Sequence, residues 1–515
     1  MAKAKTPSFV LTLPLVCDPY EVFVLEKRFS QAEHLYNQMC KHAKTRLFEL
    51  KRNKKYKRTL REYHELKALE EKDLKTSKKS KYTKLKNEKS NELKNIQQQF
   101  GLSEYQFHAY VKKQYQQFKG IDANTGQALA TRVWKATATN LYGKGKSLHF
   151  KKRGQLRSIE GKSNKTGIIY KNEWLTFNKL MLKVNIRKTD LYAQEALMSK
   201  VKYCRILRKV VRGKTKFYVQ LVLEGTPPPK RHKDGSFKHK SIKGRVGLDI
   251  GTSSLAVVSN QKCLLTEFAA GLEDYEQQKR RLQRKLDRSK RAMNPTNYNE
   301  DGTIKRGIRL KWHRSNRYMK TLFKLKEIER KRVAYRKQSH EQLANDVLSL
   351  GNEIYIETMN FKALQKRSTQ TEISEKTNRF KRKKRFGKSI GNHAPSAFVD
   401  ILKRKLAYQG KELHQVHTQT FKASQFNHVT GEYVKKDLNN RWNVIQNESI
   451  QRDLYSAFLL MNAQDDLCHT DIKKCQRNYK KFKENHETCL KALEENSTLK
   501  KLSCFGLNKK PPIVA

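Results

Sequence analysis

The stretch RVGLDIGTSSLAVVSN, residues 245–260, ends an apolar run on a carboxylate, Asp249, and then continues through Gly-Thr-Ser-Ser into a second apolar run. Two apolar runs joined this closely predict a tight β-hairpin, with Gly251 free to take backbone angles that a side chain forbids. A carboxylate at the end of a buried strand loses hydration unless a positive charge, such as a metal ion, stands beside it. Two later segments repeat the theme. GNEIYIETMNF (351–361) is a short apolar strand ending at Glu357, and SIQRDLYSAFLLMN (449–462) has the apolar spacing of a helix. On that helix Asp453 shares a face with Ala457 and Leu460, and the small Ala457 would let it lie close to a sheet.

Three carboxylates from two strands and one helix suit a two-metal phosphodiesterase. Two divalent ions about 4 Å apart activate a water and stabilise the leaving oxygen, and they need several hard oxygen ligands. The charge of the chain points to the same substrate: 111 Lys and Arg stand against 49 acids, a formal net charge of +62. Such an excess repels itself, so a polyanion is expected in the functional state. Nucleic acid is the expected partner. An anionic membrane is the weaker alternative, since no stretch reaches the roughly 18 apolar residues needed to span. MAKAKTPSFVLTLPLVC has the basic-then-apolar order of a signal peptide, but Pro14 interrupts it and no Ala-x-Ala follows, so it is read as a strand. Eight scattered cysteines without a CxxC predict free thiols in a reducing cytosol, hence a cytoplasmic location.

A chain of 515 residues exceeds one core and predicts about two to four domains. Residues 1–19 hold a first strand. Residues 20–142 are helical and include a Lys-rich, mixed-sign stretch expected to be a solvated helical hairpin. Residues 143–230 carry short strands (GIIYKNEWLTF, LMLKVNI, YCRILRKVV, TKFYVQLVLEG) that join the first strand in one β module split by the helical insert. A Pro/Lys-rich linker covers 231–243. Residues 244–417 contain the Asp249 hairpin, two basic helices and the Glu357 strand. The first helix presents Tyr275, Leu282 and Leu286 on one side and Arg281, Arg284, Lys285 and Arg288 elsewhere, the four cations being candidate nucleic-acid contacts; the second runs from about Ser315 to Leu350. The Asp453 helix occupies 449–467, and a helical tail 468–515.

Two basic stretches are further candidates for nucleic-acid contact. In HFKKRG, Phe150 stands beside Lys151, Lys152 and Arg153, a combination suited to backbone contact and base stacking. RFKRKKRFGK (379–388), with Arg382, Lys383, Lys384 and Arg385, is expected to form a basic lid over a strand entering the site; a solvated loop or a nuclear-import signal fits the same letters.

GLDIGT, IYIETMNF and QRDLYSAF resemble the three RuvC motifs of the TnpB family of transposon-encoded nucleases and the type V CRISPR effectors related to them. The resemblance implies a multidomain α+β chain with an RNase H-like (RuvC) nuclease core, a β-barrel wedge domain and a helical recognition insertion. It also implies a guide RNA, a double-stranded DNA target and two Mg²⁺ ions. Asp249 matches the first catalytic, metal-binding acid, and Glu357, with Asn360 in Glu-x-x-Asn, the second. Asp453 in Arg-Asp-x-x-x-Ala matches the third, with Tyr455-Ser456 where the family more often has Asn-Ala. The first strand, the insert with LYNQMC near its start, HFKKRG and the β module resemble the lobes that hold the guide scaffold and read a short duplex motif beside the target.

The family usually carries a zinc ribbon before the third acid, beginning Ser-Gln-x-Cys-x-x-Cys-Gly. In SQFNHVTG, within 418–448, Ser424 and Gln425 are kept and are carried over as nucleic-acid contacts, but Asn427 and Thr430 take the cysteine positions, and no Cys lies between Gly431 and Asp453. An amide and a hydroxyl are poor Zn²⁺ ligands, so no zinc is predicted and the loop is read as a metal-free remnant. Tyr433, Lys435, Lys436, Arg441 and Trp442 are candidates to replace its contacts. Cys468, Cys475, His486 and Cys489 match no ribbon spacing and are read as free thiols and a surface histidine. Two other functions are compatible with part of the pattern. DIGTSS resembles the first phosphate loop of actin-like kinases, although no second Asp-x-Gly-Thr loop follows an apolar strand. A guided DNA-binding repressor with weak or no cleavage is the other.

Overall fold

The computed structural model describes residues 6–72, 78–143, 145, 147–239, 241–366, 371, 373, 378, 380, 386–435, 437, 440–496 and 505–507. The chain divides into two compact units, Met1–Pro229 and Lys230–Ala515. No helix among the described residues is long and apolar enough to cross a membrane.

The first unit opens with β1 (Ser8–Val16) and then α1 (Pro19–Arg52). Asp18 starts that helix: its carboxylate accepts from the Glu21 amide at 2.7 Å while Glu21 accepts from the Asp18 amide at 2.9 Å, with Pro19 in the first turn. Next come α2 (Lys54–Lys72), α3 (Lys78–Gln99), α4 (Glu104–Gln114) and α5 (Ala123–Leu141). The Lys-rich segment is a hairpin of α2 and α3, tied across by Lys86–Glu70 and Lys89–Glu62 ion pairs. The strands follow: β2 (Ser158–Glu160), β3 (Ile168–Lys171), β4 (Trp174–Phe177) and β5 (Leu180–Val184), then α6 (Leu191–Leu197), β6 (Val201–Val211) and β7 (Lys214–Glu224). They form one sheet in the order β2-β6-β7-β1-β5-β4-β3. β1 is therefore interior, paired with β7 (Leu11 opposite Leu221) and with β5, as a β module split in sequence requires. β3, at one end of that order, packs against β6 near the other, so the sheet curls almost closed.

The second unit is built on a five-stranded sheet. β8 (Arg245–Ile250), β9 (Ser254–Ser259) and β10 (Cys263–Glu267) form an antiparallel meander. Two long helices, α7 (Leu272–Ala292) and α8 (Asn316–Leu348), lead to β11 (Glu353–Glu357), which pairs parallel to β8. α9 (Phe361–Leu364), α10 (Phe386–His393) and α11 (Pro395–Ala407) precede β12 (His414–Val416), parallel to β11. The sheet order is β10-β9-β8-β11-β12. After α12 (Thr418–Phe421), the chain forms a separate hairpin of β13 (Trp442–Ile445) and β14 (Glu448–Gln451), then α13 (Arg452–Met461) and α14 (Ile472–Glu495). The helical expectation for 449–462 is thus corrected at its start: 449–451 belong to β14, whose Ser449 and Ile450 face Val444 and Asn443, and the helix begins at Arg452.

Both faces of the sheet are covered. Val246, Leu248, Leu255, Val257, Ile354 and Ile356 pack into one core with Ala344 and Val347 of α8 and Phe398 and Leu402 of α11. Ala256, Val258, Tyr355 and Val416 pack into the other with α13 and α14. Alternation along a strand then fixes the acids: residues 247, 249, 355 and 357 belong to the α13 face.

Candidate active site

The register places Ile356 opposite Leu248, so one residue further on Glu357 and Asp249 are neighbours on adjacent strands, on the same face and at the strand ends. Adjacent strands lie about 4.8 Å apart. The third acid arrives on α13, which presses directly onto β8. A Cβ added to Gly247 would lie 1.8 Å from the Ala457 carbonyl oxygen and 2.5 Å from the Met461 amide nitrogen, inside the helix's own hydrogen bond. Ala457 does allow the close approach the sequence suggested, but Gly247 is its other half. A glycine inside an apolar strand is the sequence signal for such an approach.

The electrostatics show that the three acids share a neighbourhood. Asp249 has its pKa raised well above the ordinary carboxylate range, first by burial, then by the charges of Asp453 and Glu357, against smaller opposing effects from Arg452 and Arg441. Its residue surface is only half-buried, but the protein packed around the carboxyl makes desolvation the leading cause. Burial also raises Glu357, although the Ala423 amide donates to it and acts the other way. Asp453 is flanked by cations: Arg452 approaches Oδ1 at 3.3 Å and Arg441 at 3.8 Å. Arg452 is braced from behind, donating to the Asn440 carbonyl at 2.9 Å.

Carboxylates are hard oxygen donors whose charge a divalent cation would offset, so the donor chemistry of these three acids suits Mg²⁺. As folded, no group of three or more His, Cys, Asp or Glu side chains among the described residues is gathered tightly enough to hold a metal ion. With Arg452 and Arg441 drawn to Asp453, the set is convergent but open.

The loop around Asn427 and Thr430 is held by its own hydrogen bonds. Asn427 and Thr430 make turn hydrogen bonds: Asn427 Oδ1 accepts from the Val429 amide at 3.0 Å and its carbonyl from the Gly431 amide at 2.9 Å, and Thr430 Oγ1 accepts from the Glu432 amide at 3.4 Å. His428 between them is buried, and its imidazole nitrogen Nδ1 and backbone amide meet the Tyr455 hydroxyl at 2.7 and 3.1 Å. Desolvation pushes the His428 pKa down to about 4, so the neutral ring accepts from the hydroxyl while the amide donates to it. Tyr455 therefore pins the loop to the helix that carries Asp453. Ser424 is exposed and Gln425 partly so, beside the buried Phe426.

His486 corrects another expectation. It is buried, not on the surface, and its Nε2 accepts from the Gln451 amide at 3.0 Å, while Gln451 Oε1 caps α13 at the Leu454 amide at 2.7 Å. α14 thus secures the start of the Asp453 helix. Cys475 and Cys489 are buried free thiols.

Of the basic candidates, Phe150 is half-exposed with the Lys44 ammonium 4.2 Å above its ring, and Lys152 and Arg153 are exposed. Their loop is clamped by α1: Asn37 bonds the Lys151 carbonyl and amide, both at 2.8 Å, and Glu33 accepts from the Gln155 and Leu156 amides. Asn37 lies in the LYNQMC segment, where sequence alone gave no role to it. Arg281, Arg284, Lys285 and Arg288 are exposed on α7, whose other side is tied to α8 by Arg332–Glu276 at 2.6 Å and Lys279–Glu329 at 2.9 Å. Arg382, Lys383, Lys384 and Arg385, the expected lid, lie outside the described residues, as does Lys436.

No family model matches the chain, and no curated protein matches it in sequence. Among solved structures, a chain of a Cas12f1–sgRNA–target DNA complex, seen by cryo-electron microscopy, is similar at 12% identity with a TM-score of 0.44, over 89% of this chain and 99% of that one. A CRISPR–Cas12f ternary complex is similar at 12% identity with a TM-score of 0.25, over 86% of this chain and 82% of that one.

Proposed function

We propose that the protein is an RNA-guided DNA endonuclease, with Asp249, Glu357 and Asp453 as its catalytic acids. The observation that carries the reading is the shared face: two acids at neighbouring register positions on β8 and β11, and a third on a helix in backbone contact with β8. The three RuvC-like motifs and the net charge of +62 support it from the sequence.

Asp249 and Glu357, on adjacent strands, and Asp453, on α13, would hold two Mg²⁺ ions, which when bound supply an activated water and stabilisation of the departing oxygen. The protein contributes rigidity. Gly247 sets the depth of α13, Gln451 and His486 fix its first turn, and the Ala423 amide orients Glu357. Arg441 and Arg452 neutralise part of the acid cluster and can turn toward a phosphate, for which a guanidinium is well shaped. The curled sheet and helical insert of the first unit are assigned to the guide scaffold and the flanking duplex, with Phe150, Lys151, Lys152 and Arg153 on a preformed loop. Guide pairing supplies sequence choice.

The test is to sequence RNA that copurifies with the protein, then replace the variable end of that RNA and assay plasmid cleavage. A discrete structured RNA that redirects cutting is expected. Heterogeneous cellular RNA, or cutting that ignores the RNA sequence, would overturn the proposal. Guided binding that persists without cutting would favour the repressor reading.

A further inference from the structure

Beyond α14 the segment Phe505–Leu507 returns to the β13–β14 hairpin, at the end nearer the acids. Phe505 is 4% exposed, in the core that holds Ile445, Ile450 and Leu454, and Leu507 packs against the same core. Gly506 between them takes φ +78°, and its carbonyl accepts from the Trp442 indole Nε1 at 3.2 Å. The backbone here lies directly against Arg441. A Cβ on Gly506 would stand 2.6 Å from the Arg441 Cβ, 3.4 Å from its Cγ and 3.1 Å from Trp442 Nε1. The left-handed φ and the lack of room for a Cβ both require glycine, and the second arises because this segment packs on Arg441.

The other end of Arg441 is at the acids, with Nη1 3.8 Å from Asp453 Oδ1. Its backbone is fixed separately, since the Arg441 carbonyl accepts from the Arg452 amide at 2.9 Å. Arg452 reaches the same Oδ1 at 3.3 Å but also donates to the Asn440 carbonyl at 2.9 Å, so it has an anchor apart from the acid. For Arg441 that part is played by packing: Gly506 behind the stem decides where the guanidinium can go. A guanidinium and a divalent cation are both drawn to the Asp453 carboxylate, and their like charges disfavour joint occupancy. We propose that Gly506 is a positioning residue that holds Arg441 on Asp453 as a resident counter-cation, which a divalent ion must displace to load the site. The segment Phe505–Leu507 thereby sets the metal concentration at which the acids fill. The inference rests on the reading of the three acids as a divalent-metal site and concerns what competes for it.

The experiment titrates Mn²⁺ alone into the full chain, freed of RNA by a high-salt wash, and reads bound metal by electron paramagnetic resonance. No guide, target or cleavage enters the measurement. The Mn²⁺ that counts is the fraction Asp453→Asn abolishes. Arg441→Gln should bind it about 3–10-fold more tightly than wild type. Gly506→Ala, which drives the segment off the Arg441 stem, should tighten it about 3–5-fold; Trp442→Phe, which removes the indole donor to Gly506, should act in the same direction. In the Arg441→Gln background Gly506→Ala should change affinity by less than about 2-fold, because its route to the metal is gone, whereas a merely structural effect would persist there. Lys480→Gln, at an exposed cation of α14, should change nothing and controls for net charge. Wild-type affinity in Arg441→Gln, wild-type affinity in both Gly506→Ala and Trp442→Phe, or a Gly506→Ala effect that survives without Arg441 overturns this proposal alone. No Asp453-dependent Mn²⁺ in any of these proteins overturns the metal reading and the proposal with it.

Discussion

Gly247→Ala is the smallest perturbation that should disable the site without touching an acid. The new Cβ would lie 1.8 Å from the Ala457 carbonyl oxygen, 2.5 Å from the Met461 amide nitrogen and 2.9 Å from the Ala457 carbonyl carbon. All three are backbone atoms of α13, so no side chain can swing aside. Restoring contact distance requires α13 to withdraw by about 1.5 Å, which loosens a core in which Leu454, Ala457, Phe458 and Leu460 are fully buried. Overpacking of this kind costs about 1–3 kcal/mol, and disturbing the helix hydrogen bond adds about 1 kcal/mol. Asp453 rides on the same helix, and a displacement near 1 Å at a catalytic group costs about 100-fold in rate. Thermal melting and guided cleavage at saturating target read the two effects. Gly391→Ala is the control, since a Cβ there meets nothing within 4 Å. A Gly247→Ala protein that melts within about 1 °C of wild type and cleaves at the wild-type rate would refute the packing account, because about 2 kcal/mol is worth roughly 4–8 °C in a unit of this size.

Asp249→Asn should raise metal-free stability at neutral pH, by about 1–3 kcal/mol, because it removes a desolvated charge beside two others. The sign follows from the raised folded pKa: the penalty is full above it and fades as pH falls toward the unfolded value, so the gain should shrink in acid, and also on adding Mg²⁺; calorimetry showing no gain at neutral pH would count against it. Burial lowers His340, His428 and His486 to about 4 each, so the unfolded chain takes up protons first and stability should fall as pH drops from about 6.5 to 4, visible as a decline in melting temperature. Tyr455→Phe should lower stability by about 1–3 kcal/mol by stranding the buried His428, while a strong zinc chelator leaves the wild-type melt unchanged; a melt that shifts with the chelator would show a zinc site where the turn hydrogen bonds are.

Much of the site was legible because its signals are local. An apolar run ending in an acid specifies strand and terminus together, so Asp249 and Glu357 fall at the ends of β8 and β11, and period-2 alternation puts both on one face. The helix with Asp453 was legible from Ala457 and Leu460, but its start was not. Gln451 ends a strand and caps the helix at once, and the strand is specified by its pairing with Trp442 across a turn held left-handed at Gln446 and Asn447. His486 was misplaced for a related reason. A lone histidine on a charged helix looks exposed until a backbone amide from a segment 35 residues away supplies its partner. The pairing of Tyr455 with His428 likewise joins positions whose spacing carries no periodic signal.

The central claim is that three acids from two strands and one helix act together in cutting DNA. Its most direct test is guided cleavage in Mg²⁺ by Asp249→Ala, Glu357→Ala and Asp453→Ala, with target binding measured on the same preparations. Each variant should bind target as wild type does and cut at background. Cleavage within about tenfold of wild type by any one of them, a loss of under about 1.4 kcal/mol in barrier, would contradict the account.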